Sequence, residues 1–289
     1  MKAQPQCTLT GHLAESLHEA RRNYRHRLRQ CRQALTEKAV HDLRVETRRL
    51  LALLDFLEAA QLAGKCGKIR KQLKAGLAGF GGLRDTQVQL KFLKTFWKRF
   101  PESKPLKKFL QRQETCLLKE GRQSMTRLKS GRMDERLKQL EKVLRTDEIT
   151  APGSDRKVAV LIAQQSYVNV AQLRQAIRRE DSNTIHKLRV AFKRFRYVCE
   201  LLGPFLSMHT AKQRREMRQF QAEAGKIQDL DVLLARLDEM EARKKIPEIS
   251  AAGLRRELSR RKHRAVARFL KNISDLNQFD PDENPLMRK

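Results

Sequence analysis

The sequence predicts an all-α protein: two helical bundles from an internal duplication, related by a pseudo-twofold axis around a central basic cavity. Three observations carry this expectation. Leu, Ala, Arg, Lys, Gln and Glu dominate, and no useful stretch alternates β-branched residues at a period of two. Gly and Pro clusters cut the chain into about five helical segments on each side of a polar stretch, TDEITAPGSD, at 146–155. A basic phrase is written twice, as VHDLRVETRRL at 40–50 and as IHKLRVAFKRF at 185–195.

The segments follow from these breaks in order. In the first half they fall at Gly64 to Gly67, Gly79 to Gly82, Pro101 to Pro105 and Gly131; in the second, at Gly203-Pro204 and Pro247 to Gly253. Ser154 and Ser182 are expected to cap the helices that follow them, their hydroxyls taking a free backbone N–H. The two halves are assigned as 1–149 and 150–289. SDLNQFDPDENPLMRK holds two prolines and few helix formers, so a loosely held tail is expected from about residue 275.

The duplication extends beyond the opening phrase. His41, Leu43, Arg44, Val45 and Arg49 return as His186, Leu188, Arg189, Val190 and Arg194, with Arg48 answered by Lys193. GFGGLRDTQVQL at 79–90 lines up with AGKIQDLDVLL at 224–234, and KIRKQLK at 68–74 with KQRREMR at 212–218. The offset stays at 144 or 145 throughout, one register held across separate segments, which is an internal repeat. Two similar halves of this length pack face to face, as homodimers do, and would present the repeated phrase from both sides of one space.

The 289 residues suffice for a sizeable core. Against 63 Lys and Arg stand only 33 Asp and Glu, a formal charge of +30, so a compact body repels itself unless a polyanion is near. Five dispersed cysteines without a CxxC fit reduced thiols in the cytoplasm and offer no zinc site. The N-terminus lacks the apolar stretch of a signal peptide, and the longest apolar run, LLALLDFLEAA, is broken by Asp55 and Glu58, so no membrane association is expected.

At 100° per residue, His41, Arg44 and Arg48 fall within roughly one-sixth of a turn, as do His186, Arg189 and Lys193. Leu43, Leu50, Leu54 and Leu57 gather on another face, and Leu188, Phe192, Phe195 and Cys199 repeat that pattern. One side of each helix is thus expected in a core while another presents a ladder of cations. Like charges at i,i+4 destabilise a helix by about 0.2–0.5 kcal/mol per pair, and Arg44–Arg48 and Arg189–Lys193 are such pairs. Such ladders suit an extended anion. Arg84 and Lys226 are expected beside glycine loops at helix starts, where backbone N–H groups favour anions. Asp85 and Asp229, in the first turns of those helices, are read as structural carboxylates orienting a nearby Arg.

H-x-x-R-V-x-x-[RK]-R once per half, followed by G-x-x-[RQ]-D-x-x-V, resembles the CHAD domain (conserved histidine α-helical domain) over roughly residues 9 to 275. The resemblance implies two helical bundles that bind inorganic polyphosphate in a central basic cavity without catalysis or cofactor, in some members at polyphosphate granules. It implies a ligand-facing set of His41, Arg44, Arg48 and Arg49 with His186, Arg189, Lys193, Arg194 and Arg196. Lys68, Lys71, Lys212 and Arg215 would line the adjoining helices. Ala52 opposite Tyr197 and Gln87 opposite Asp231 depart from the symmetry.

Polyphosphate offers no bases to stack, and aromatic residues are only 6% here, fewer than a reader of single-stranded nucleic acid usually supplies. A sequence-tolerant nucleic-acid binder using the same faces is the alternative reading. An enzyme would want carboxylates matched beside both histidines, yet Glu37, one turn before His41, has only Ser182 in the equivalent place.

Overall fold

The Leu-, Arg- and Gln-rich stretches form helices in the computed structural model, which describes residues 8–62, 66–95, 100–127, 131–146, 154–206, 210–245 and 248–281. There is no strand among them, so the all-α expectation is borne out. In chain order the helices are α1 (Leu9–Gln33), α2 (Glu37–Ala59), α3 (Gly67–Gly79), α4 (Gly81–Lys94), α5 (Lys104–Arg127) and α6 (Gly131–Thr146). They continue with α7 (Ser154–Gln175), α8 (Ser182–Leu202), α9 (Ala211–Ala242) and α10 (Glu248–Lys271). Short 3₁₀ turns lie at Pro101–Ser103, Gly203–Phe205 and Ile273–Phe279.

Local chemistry sets the helix starts. Thr8 and Thr36 accept from the N–H groups of Gly11 and Ala39, and Thr210 with Gln213 closes a reciprocal capping box on α9. α8 is capped by Asp181, one residue before the expected Ser182, because the Asp181 carboxylate accepts from the Asn183 N–H at 3.0 Å. Ser154 is itself the first residue of α7. The polar stretch between the halves lies almost wholly outside the described residues.

The starts of α7, α8, α9 and α10 follow those of α1, α2, α3 and α5 by 145, 145, 144 and 144 residues. The register breaks down at one point. In the first half Phe80, between Gly79 and Gly81, separates α3 from α4, whereas α9 runs unbroken through Gly225. Lys226 and Asp229 therefore sit within a helix rather than at its start, which corrects the expectation for both. A lone glycine costs a helix only about 1 kcal/mol, and Ile227, Leu230 and Leu233 bury the following turns, so packing carries α9 across it.

α1 packs on α2 and α6, α7 on α8, α9 on α10, and the halves meet where α2 lies against α8. Phe192 and Phe195 are fully buried, and Phe192 meets Phe220 and Phe279 at ring-centroid distances of 4.7 and 5.6 Å. A second core joins Leu93, Leu106 and Leu110 of the first half to Leu233, Leu237 and Leu254 of the second. The tail expected from about residue 275 is instead held through Phe279. Leu276 and Phe279 are fully buried, and the Tyr167 hydroxyl donates to the Leu276 carbonyl at 2.8 Å. Residues 282–289 lie outside the described set.

Cys31, Cys66 and Cys199 are buried and Cys116 is exposed, none of them in a disulfide; Cys7 lies outside the described residues. Among the described residues no helix is long and apolar enough to cross a membrane, and no cluster of His, Cys, Asp and Glu could hold a metal ion.

Candidate functional site

The core faces assigned to α2 and α8 are buried as expected, from Leu43 to Leu57 and from Leu188 to Cys199. Their burial fixes the rotation of each helix and turns the cationic ladders toward the seam where α2 meets α8. Arg44 is only 8% exposed. Its Nη1 donates 2.6 Å to the carbonyl of Leu77, near the end of α3, while its Nε is buried without a partner. Arg189 likewise buries an unpartnered Nε, and His186 an unpartnered Nδ1. Arg48 and Lys193 are half-buried between them.

The electrostatics show that the two ladders converge. Burial first, then the charges of Arg48, Arg189, Arg196 and Arg44, pull the Lys193 ammonium down to about 7. Arg44 falls to about 10 through burial and then Arg48. Arg189 is lowered by burial, and Asp229 acts against that shift. Among the described residues, no carboxylate lies within ion-pair distance (4.0 Å) of Arg44, Arg48, Arg189 or Lys193, whereas most arginines nearby have one.

Asp85 and Asp229 supply the nearest negative charge. Burial raises both pKa values, opposed chiefly by Arg44 at Asp85 and by Arg189 at Asp229. Each aspartate thus offsets the arginine of its own half without an ion pair to it, and the residual charge at the seam is positive. His41 stands at the open edge, its pKa lowered by desolvation and then by Arg84. Arg84 is held by Glu37 at 3.0 Å.

Other expected residues are placed differently. Arg196 is 8% exposed, donates to Gln221 at 2.9 Å, pairs with Glu200 and lies over the Tyr197 ring at 4.7 Å. It is a packed, satisfied residue rather than a ligand-facing one, because the ladder face ends at Lys193. Arg49 pairs with Glu46 at 2.9 Å and lines a separate cavity of about 680 Å³ with Tyr197, Arg214 and Arg218. One residue beyond Arg48 is 100° around the helix, which turns Arg49 off the ladder. Arg194 is exposed on α8. Lys68, Lys71, Lys212, Arg215 and Lys226 lie on exposed faces of α3 and α9, and none is among the charges acting on Arg44, Arg189 or Lys193. Arg236 of α9, whose charge reaches Asp85 of α4 in the other half, escaped the sequence reading. Its spacing of seven from Asp229 on α9 was the available signal.

Comparisons with known proteins bear on this arrangement. The family model described as "CHAD domain" matches residues 13–238, and again 162–280. The crystal structure of the CHAD domain from the plant Ricinus communis superposes with a TM-score of 0.70 at 17% identity, covering 96% of this chain and 92% of that one. PptA from Streptomyces chartreusis superposes with a TM-score of 0.66 at 15% identity, covering 94% of this chain and 99% of that one. At these identities the likeness is one of fold. No curated protein matches by sequence.

Proposed function

The chain belongs to the CHAD domain family, and on that premise we propose that it binds inorganic polyphosphate at the α2–α8 seam, without turning it over. One observation carries the reading: Arg44, Arg48, Arg189 and Lys193 crowd together from both halves with no carboxylate of the described residues in ion-pair reach. Such a group is costly in the free protein, and a chain of phosphates repays that cost. Phosphate oxygens accept charge-assisted hydrogen bonds, the strongest kind available to Arg and Lys, and each contact releases condensed counterions. The unpartnered Nε groups of Arg44 and Arg189 and Nδ1 of His186 are donors or acceptors already desolvated for this purpose. Ladders written alike on α2 and α8 would offer a row of cations, matched to a linear anion.

Replacing Arg44 and Arg189 together with Glu is expected to abolish measurable polyphosphate binding while leaving the helical circular-dichroism signal intact. The decisive comparison is competition at fixed salt. Long-chain polyphosphate should displace a labelled DNA duplex at matched phosphate concentration. Failure to do so favours the nucleic-acid alternative, and shortening of the chain during incubation contradicts the non-catalytic reading.

A further inference from the structure

We propose that α4 and α9 form a jaw between the halves, pinned by leucines at one end and sprung at the seam end, which opens in the free protein and closes over the bound anion. The closing rests on the polyphosphate reading of the seam; the opening does not.

α4 lies in contact with α9. In the repeat register Asp85 matches Asp229, Thr86 matches Leu230, Gln89 matches Leu233 and Leu93 matches Leu237. At 100° per residue the four α4 positions fall within about 100° of arc, so one face of the helix carries them all. Its two ends are fixed by their neighbours. Leu93 shares a buried core with Leu230, Leu233 and Leu237 of α9. Asp85, two turns earlier, acts on Asp229 and is reached by Arg236, both of α9.

Between these ends the contact is unsatisfied. Thr86 is 0% and Gln89 2% exposed, yet the Thr86 hydroxyl and both the oxygen and the nitrogen of the Gln89 amide lack a hydrogen-bond partner. Each of these atoms gave up water on burial and received nothing for it. The fold does not need polar groups there. The second copy places leucines at both positions, and Leu230 and Leu233 are buried in the leucine core. The amide of Gln89 therefore falls on a face whose partner helix offers it hydrocarbon.

The strain grows toward the seam. Two carboxylates of like charge, Asp85 and Asp229, stand on the same contact, and Asp85 adds to the burial that raises the Asp229 pKa. Beyond them Arg44 and Arg48 of α2 face Arg189 and Lys193 of α8. Apolar burial thus holds the halves together at Leu93 and Leu237, while every step away from that end is relieved by separation. Parting the helices lets water reach Thr86 and Gln89, and phosphate between the cations removes the outermost repulsion. An anion that contacts both ladders at once binds the closed arrangement better and shifts the population toward it.

The test places a thiol at the sprung end with Thr86→Cys and follows its maleimide labelling by peptide mass spectrometry. Cys199, buried in the core of α8, is the internal clock for global unfolding. In the ligand-free protein the thiol at position 86 is expected to react at least about tenfold faster than Cys199, the mark of a local opening. Adding Gln89→Leu, the residue of the second copy, should slow it by about tenfold. A thiol at the pinned end, Leu93→Cys, should react at the rate of Cys199. The jaw is refuted if position 86 reacts no faster than Cys199, if Gln89→Leu leaves that rate unchanged or raises it, or if position 93 reacts as fast. Saturating long-chain polyphosphate should slow labelling at position 86 by at least about tenfold, and binding without this protection overturns the closing. Absence of binding sinks the seam reading instead, and ligand-free labelling then decides the opening alone. Should Thr86→Cys lose the helical circular-dichroism signal, Gln89→Cys takes its place as the probe, with Thr86→Val as the added change.

Discussion

Lys193 is where the seam is most sensitive to solution conditions. Its ammonium faces Arg189 and Arg196 of its own helix and Arg44 and Arg48 of α2, and burial with these charges brings it down to about 7. Above that pH the free protein holds a neutral amine, while a bound phosphate favours the ammonium. Binding therefore takes up a proton, and affinity falls as pH rises past 7, by at most one decade per pH unit for a single group. His41, lowered from its ordinary value, titrates below this window. Polyphosphate affinity is thus expected to drop between pH 6.5 and 8.5 in the wild type and to stay nearly flat in Lys193→Arg, whose guanidinium remains charged. Isothermal titration in buffers of different ionisation heat counts the proton directly; zero uptake at pH 8 would contradict the assignment.

At the scale of elements, the parts legible in the sequence were those governed by helical periodicity. Leu43, Leu50 and Leu54 on one arc with Arg44 and Arg48 on another leave only one way to bury α2, and α8 repeats the constraint. What periodicity could not foresee was tertiary. Arg196 is claimed by Gln221, 25 residues away, and Leu276 and Phe279 are drawn into an aromatic core by Phe192. The GFGG segment and its counterpart EAGK share one glycine, Gly81 and Gly225, yet only the first breaks its helix, because three glycines surround Phe80 while Gly225 stands alone. Gly225 consequently sits in a helix interior where a Cβ would meet nothing within 4 Å. Gly225→Ala should stabilise the protein by about 0.5–1 kcal/mol, measured by urea unfolding. A loss of stability would mean that α9 needs freedom at this point.

Taken as a whole, the molecule trades stability for its charge. A formal +30 repels itself everywhere, and the repulsion is sharpest where desolvation removes the screening water, at the α2–α8 seam that also joins the two halves. Exposed charges are screened over about 8 Å at physiological ionic strength, so added salt should raise the thermal midpoint of the ligand-free protein. The sign at Lys193 follows from linkage. Its folded pKa is about 7 against an ordinary 10.5, so between those values the unfolded chain binds more protons and stability rises with pH. Lys193→Met removes that charge while keeping an apolar side chain of similar length, and it is expected to unfold at a higher temperature than the wild type at pH 6.5 and low salt. It should do so while binding polyphosphate more weakly. Thermal scans at 50 and 500 mM NaCl, each with and without polyphosphate, separate the contributions: general repulsion is relieved by salt, the seam by its ligand. If salt lowered the midpoint of the free protein, favourable ion pairs rather than uncompensated cations would dominate this fold, and the seam would lose its reason to seek an anion.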